Sequence, residues 1–94
     1  MVGGYHPQDI DDFVLRAAES VRSSVEQQLG HSPPAYEVLE ALTQVVSGTN
    51  CKLKVRISDS ECVHLLVFVP LPHLRMLPVL KSFSQGLTLS SPLA

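Results

Sequence analysis

The spacing of apolar residues changes period along the chain. Ile10, Phe13, Val14, Ala17, Ala18, Val21, Val25 and Leu29 recur at three- and four-residue intervals, while Glu19, Arg22, Ser23 and Glu26 fall mainly between them. That spacing puts one apolar stripe on one face of a helix and predicts core on that side rather than a cofactor site. Pro7 announces the helix, Asp9 is placed to cap it, Asp11 and Asp12 suit the positive end of its dipole, and Gly30 stops it. His31-Ser32-Pro33-Pro34 then forms a rigid connector that cannot continue a helix. Beyond it the period becomes two. Cys51, Leu53, Val55 and Ile57 alternate with Lys52, Lys54 and Arg56, which predicts a strand with one dry and one wet face. Ser58-Asp59-Ser60-Glu61 supplies a turn, and Val63, Leu65, Val67 and Val69 repeat the alternation on the way back. The opposite face of that strand carries Cys62, His64, Leu66 and Phe68, more apolar than water alone would favour, so it needs cover or is an aggregation liability.

Tyr36 to Val46 fits a short helix by propensity, but the prolines before it and the β-branched pair at its end favour a strand. It leads into Gln44-Val45-Val46-Ser47-Gly48, which reads as a hairpin tip: Gly48 accepts positive φ, and two valines are displayed to solvent. Exposed valines on a rigid turn point to a binding role. Pro70-Leu71-Pro72-His73 breaks the next strand and forms a second loop, and Val79 to Phe83 suits a final strand after Pro78. The first six residues form an arm with Val2, Gly3 and Gly4, and residues 86–94 read as a flexible tail.

Ninety-four residues make one small domain, residues 1–94, with room for a single core and none for a deep active site between lobes. Seven Lys plus Arg against nine Asp plus Glu, with no basic run and no tryptophan, lacks the footprint of a nucleic-acid binder. No membrane span is expected, since the most apolar stretch, Val63 to Leu71, is short and contains His64 and Pro70. The opening residues lack the basic and apolar regions of a signal peptide, so a cytoplasmic location is expected. In that compartment Cys51 and Cys62 are expected to be free thiols. If residue 57 faces residue 62 across the predicted turn, Cys51 is roughly 20 Å from Cys62 along the ladder, too far for a bridge.

Catalytic chemistry finds no support. Cys51 faces the predicted core, and Cys62 and His64, alternate residues on one strand, sit about 7 Å apart, so neither cysteine has a base within hydrogen-bond reach. His6, His31, His64 and His73 are scattered, with no CxxC or HxxxH spacing, so no metal site is expected. Gly3-Gly4 follows no strand and makes no phosphate loop, so no cofactor is expected.

Gly3-Gly4, one long helix, Thr43-Gln44-Val45-Val46-Ser47-Gly48-Thr49-Asn50, Lys54-Val55-Arg56, Val63-His64-Leu65 with Val67-Phe68, and Leu71-Pro72-His73 occur in the order and spacing of the type 1 cystatins, or stefins. The resemblance runs from residue 3 to about residue 83. It implies an α+β cystatin fold, with a curved antiparallel sheet of four to five strands wrapped around one long helix. It also implies a reversible, competitive, tight-binding inhibitor of papain-like cysteine peptidases of cathepsin L, S, H or B type, rather than an enzyme. By analogy Val2 enters an apolar pocket, Gly3 and Gly4 let the arm lie along the cleft, Gln44 to Gly48 cover the catalytic centre, and Leu71, Pro72 and His73 rest on the primed side. The alternative is a cystatin-fold scaffold with weak or lost inhibition that exchanges segments to form a domain-swapped dimer in place of a monomer. Several features depart from the resemblance. Ser47 stands where alanine is usual, the strand before the first loop is about three residues short and needs a bulge to restore facing, and Leu74-Arg75-Met76-Leu77 is unusually apolar. Cys51 and Cys62 also occupy strand positions where aromatics are common.

Overall fold

The computed structural model describes residues 4–93, so the expectations for Val2 and Gly3 lie outside the described residues. The chain is not helical from Pro7. His6–Pro7 forms a short strand, β1, whose residues pair with Thr43 and Leu42, and the Gln8 N–H donates to the Ala41 carbonyl at 2.9 Å. A proline suits such an edge, where its missing N–H breaks no ladder. Asp11, not Asp9, caps the helix: its carboxylate accepts from the Val14 N–H at 3.1 Å, and α1 runs Asp12–Ser20. A single turn residue, Val21, separates it from α2, Arg22–Leu29, so the one long helix is divided in two. The Val25 N–H still reaches the Val21 carbonyl at 3.0 Å. Gly30, at φ 84°, closes α2 by donating to Glu26.

The buried stripe is shorter than the sequence predicts. Val14, Ala17, Ala18, Val21 and Val25 are buried, whereas Ile10 and Phe13 are exposed. Ile10 precedes the cap, where helical spacing no longer governs direction, and Val14 takes the core position beside Phe13.

Four longer strands follow: β2 (Glu37–Val46), β3 (Gly48–Arg56), β4 (Cys62–Val69) and β5 (Val79–Leu87). The order is β1-β2-β3-β4-β5, and every neighbouring pair is antiparallel. The helices lie on the face built from Val38, Ala41, Cys51, Leu53, Val55, Val63, Leu65 and Val67, with Leu80 and Phe83 packed at its margin. This is the α+β arrangement the sequence predicts. Tyr36 ties helix to sheet, its hydroxyl donating to the Ala18 carbonyl at 2.6 Å while the Arg22 guanidinium stacks on its ring.

The ladder explains how a short β2 still faces the helices. Val38 pairs with Val55 and Glu40 with Lys54, leaving Leu39 as an extra residue in a bulge. Val38 and Ala41 are both buried although they stand three positions apart. Strict alternation would put them on opposite faces, so the bulge restores the parity. At the next hairpin Cys62 pairs with Arg56, one residue from the expected partner, because the N–H groups of both Ile57 and Ser58 turn to the Glu61 carbonyl. Cys51 pairs with Val67, and both cysteines are free and buried.

The far face of the sheet is partly covered. Gly86 and Leu87 belong to β5, and beyond them the chain folds back, with Leu93 only 6% exposed. Lys54, expected to be wet, is 7% exposed, and its ammonium donates to the Leu89 carbonyl at 2.9 Å and lies 3.6 Å from Glu40. Leu93, Lys52, His64, Leu66, Ser82 and Ser84 line one shallow cavity of about 240 Å³ there. Residues 86–93 therefore act as cover where the sequence reading has a flexible tail.

Candidate functional site

Antiparallel pairing brings three chain segments to one end of the sheet. β2 ends and β3 begins at Val46-Ser47-Gly48, β4 ends at Val69 and β5 begins at Val79, so the first hairpin and the second loop share that end. His6 pairs with Thr43, so continuing β1 backward through Tyr5 and Gly4 leads toward the same end.

The hairpin tip is tight. Val46 pairs directly with Gly48 across Ser47, and the Asn50 side-chain amide donates to the Gln44 side-chain oxygen at 3.0 Å just below. Gly48 adopts φ 119°, a region L side chains rarely enter, and is buried. A Cβ there would sit 2.7 Å from both Phe68 Cζ and the Val69 carbonyl oxygen, so the tip rests directly on the end of β4. Val45 is 78% exposed and Val46 45%. After the bulge Val45 shares the helix-facing side with Ala41 and Thr43, yet it is open to solvent while they are buried. The sheet thus extends past its helical cover, and the tip projects from the core.

The second loop is held differently. Pro70 is buried, Leu71, Pro72 and His73 are exposed, and Pro72–Leu74 makes a single 3₁₀ turn that ends on Arg75 at φ 52°. Exposure continues past His73 through Leu74, Met76 and Leu77, which the sequence flags as unusually apolar without assigning them to the site. At the opposite margin the Lys52 ammonium lies 4.2 Å from the Tyr5 ring centroid, and Gln8 links the helix cap to β2, donating to Asp11 and accepting from the Thr43 hydroxyl. These contacts fix where the N-terminal segment leaves the sheet.

The remaining polar groups do not assemble for bond making. Burial pushes the Cys51 thiol up to about 11, with Asp11 adding to the effect, so it is protonated at neutral pH and inaccessible. Burial, then the Lys54 ammonium, holds the His64 imidazole below its ordinary pKa, and its Nε2 is occluded with no hydrogen-bond partner among the described residues. Burial also raises the Tyr36 phenol, aided by the Glu19 carboxylate.

A family profile described as the cystatin domain matches residues 3–84. The chain belongs to the cystatin family. Its relatives include Cystatin-B of Pan troglodytes, 43% identical over 56 residues, and Cystatin-B of Homo sapiens, 41% identical over the same length. Cystatin-B of Mus musculus is 38% identical over 56 residues. Each alignment covers 60% of this chain and 57% of the relative. These likenesses support the type 1 branch within a family of protease inhibitors rather than enzymes. In this cystatin Gly4, Gln44, Val45, Val46, Ser47, Gly48, Leu71, Pro72 and His73 all lie in the three converging segments.

Proposed function

We propose that this cystatin is a reversible, competitive inhibitor of papain-like cysteine peptidases, of cathepsin L, S, H or B type, acting as a monomer in the cytoplasm. The observation that carries the reading is the projecting Val45-Val46 tip, clamped by Gly48 against β4 and flanked at the same sheet end by the second loop. Gln44 to Gly48 cover the catalytic cysteine and histidine of the peptidase, Leu71, Pro72 and His73 rest beside them, and Gly4 leads the arm with Val2 and Gly3 along the cleft. Occlusion presents no scissile carbonyl, so no acyl-enzyme forms. A tip already ordered in the free protein loses little entropy on docking. Free thiols at Cys51 and Cys62 fit a reducing compartment.

Tail cover beside Lys54, His64 and Leu66 leaves less of the apolar sheet face open to a second copy, which weighs against a self-associating scaffold. The test is titration of the monomer against papain or a cathepsin L-like peptidase, beside a V45D/V46D variant. Each valine is worth about 2 kcal/mol when fully desolvated, so the variant should lose roughly a thousandfold in affinity while remaining folded. A folded native monomer that inhibits neither peptidase would overturn the reading.

A further inference from the structure

The second loop contributes more apolar surface than Leu71-Pro72-His73. Leu74 is 49% exposed, Met76 62% and Leu77 80%, with Arg75 as the charge among them. Pairing register locates this surface relative to the first hairpin. Gln44, Asn50, Phe68 and Val79 form one continuous row across β2, β3, β4 and β5. Val46 stands two residues beyond that row on β2, and Leu77 precedes it by two on the β5 side. Both leave the same sheet end about three strand spacings apart, or roughly 15 Å. Between them the buried Pro70 and the Gly48 contact with Phe68 and Val69 pack the strand ends together, so the two exposed patches are held on one sheet end.

Apolar side chains this open are unfavourable to a free protein unless something covers them. Their place on the edge that carries Val45 and Val46 selects the occupant. We propose that Leu74, Met76 and Leu77 are specificity-determining contacts, seated on an apolar rim of the peptidase cleft beyond the surface met by Leu71-Pro72-His73. The proposal rests on the inhibitor reading above and names which peptidases it favours: those whose primed-side rim is apolar rather than charged. Pro72 and Pro78 bracket the run and limit its conformations, so the contact is made at small entropic cost.

The experiment compares the native chain with an L74S/M76S/L77S variant for inhibition of papain and a cathepsin L-like peptidase, with V45D/V46D as reference. All three residues lie outside the buried core, so the urea midpoint should hold. The expected result is inhibition at least tenfold weaker against one of the inhibited peptidases, arising from faster dissociation. An inhibition constant within twofold of native for every inhibited peptidase, with V45D/V46D inactive, would overturn this proposal and leave the inhibitor reading intact. A native chain that inhibits nothing would overturn both. If the triple variant misfolds, L77S alone should weaken inhibition at least threefold, and no change would refute the contact. A native dimer that the triple variant converts to monomer, with inhibition unchanged, would assign the patch to a second copy and overturn the proposal.

Discussion

Gly48→Ala separates a glycine that merely turns the chain from one that the tip cannot do without. At φ 119° the added methyl group meets backbone strain of about 1–3 kcal/mol. It also arrives 2.7 Å from Phe68 Cζ, 2.9 Å from Phe68 Cε1 and 2.7 Å from the Val69 carbonyl oxygen. The half-buried Phe68 ring can swing aside, but the Val69 oxygen is backbone in a strand paired with Thr49 and can retreat only by disturbing the ladder. Overpacking of this kind adds about 1–3 kcal/mol, so the total is about 2–6 kcal/mol. For a domain of this size even the lower bound means a fall in Tm of about 8 °C, read by circular dichroism. Gly86→Ala is the control, since Gly86 has φ 75° but nothing within 4 Å of its Cβ position, and only the conformational cost of about 1 kcal/mol remains. Equal losses in the two variants, or a fall below about 4 °C for Gly48→Ala, would refute the clamp between the tip and β4.

Two further outcomes follow from the covered face. The folded chain holds the His64 proton more weakly than the unfolded chain does, because burial and Lys54 outweigh the opposing Glu40 carboxylate. The His64 contribution to stability is therefore flat above about pH 7 and falls as pH drops through 6.5 toward the lower folded value; urea midpoints between pH 7 and 5 should decline less in His64→Gln, and equal slopes would sink the assignment. Leu93→Ala should cost about 1–2 kcal/mol in a urea titration, less than a core leucine, because the tail can detach locally and so caps the loss. A loss under about 0.3 kcal/mol would mean that Leu93 covers nothing of consequence.

Legibility followed the length of each periodic signal. The alternation in β3 and β4 runs for several residues with one face buried, and both strands stand where it puts them. A two-residue strand has no period. Pro7 suits the first turn of a helix and an edge strand equally well, and the choice is made by Thr43 and Leu42, distant in sequence. Ile10 shows the same limit from the other side, since it keeps the spacing of the stripe but lies before the cap that starts the helix. The tail is harder still. Leu89 and Leu93 among serines carry no pattern, and Lys54, which meets the Leu89 carbonyl, reads as wet because alternation reports which side of a strand a residue is on, not whether something later folds over that side.

The candidate site was legible where a single residue carries a local requirement. Gly48 marks the tip because a tight turn needs positive φ, and Pro70, Pro72 and Pro78 mark the second loop because they end the strands. Both valines read as exposed from the tip itself; what the residues alone do not show is which face of the sheet Val45 takes. It lies on the side of β2 that faces the helices, where a period-two reading would bury it with Ala41 and Thr43. Its exposure follows from two tertiary facts together: the bulge at Leu39 sets the parity, and the sheet outruns the helices that would have covered it. Losing the bulge by substitution at Leu39 would exchange the faces of Val45 and Val46 and turn Ala41 and Thr43 away from the helices. Core burial and tip presentation are therefore coupled through one irregular residue, so a change that moves the bulge turns Ala41 out of the core and re-aims the tip together.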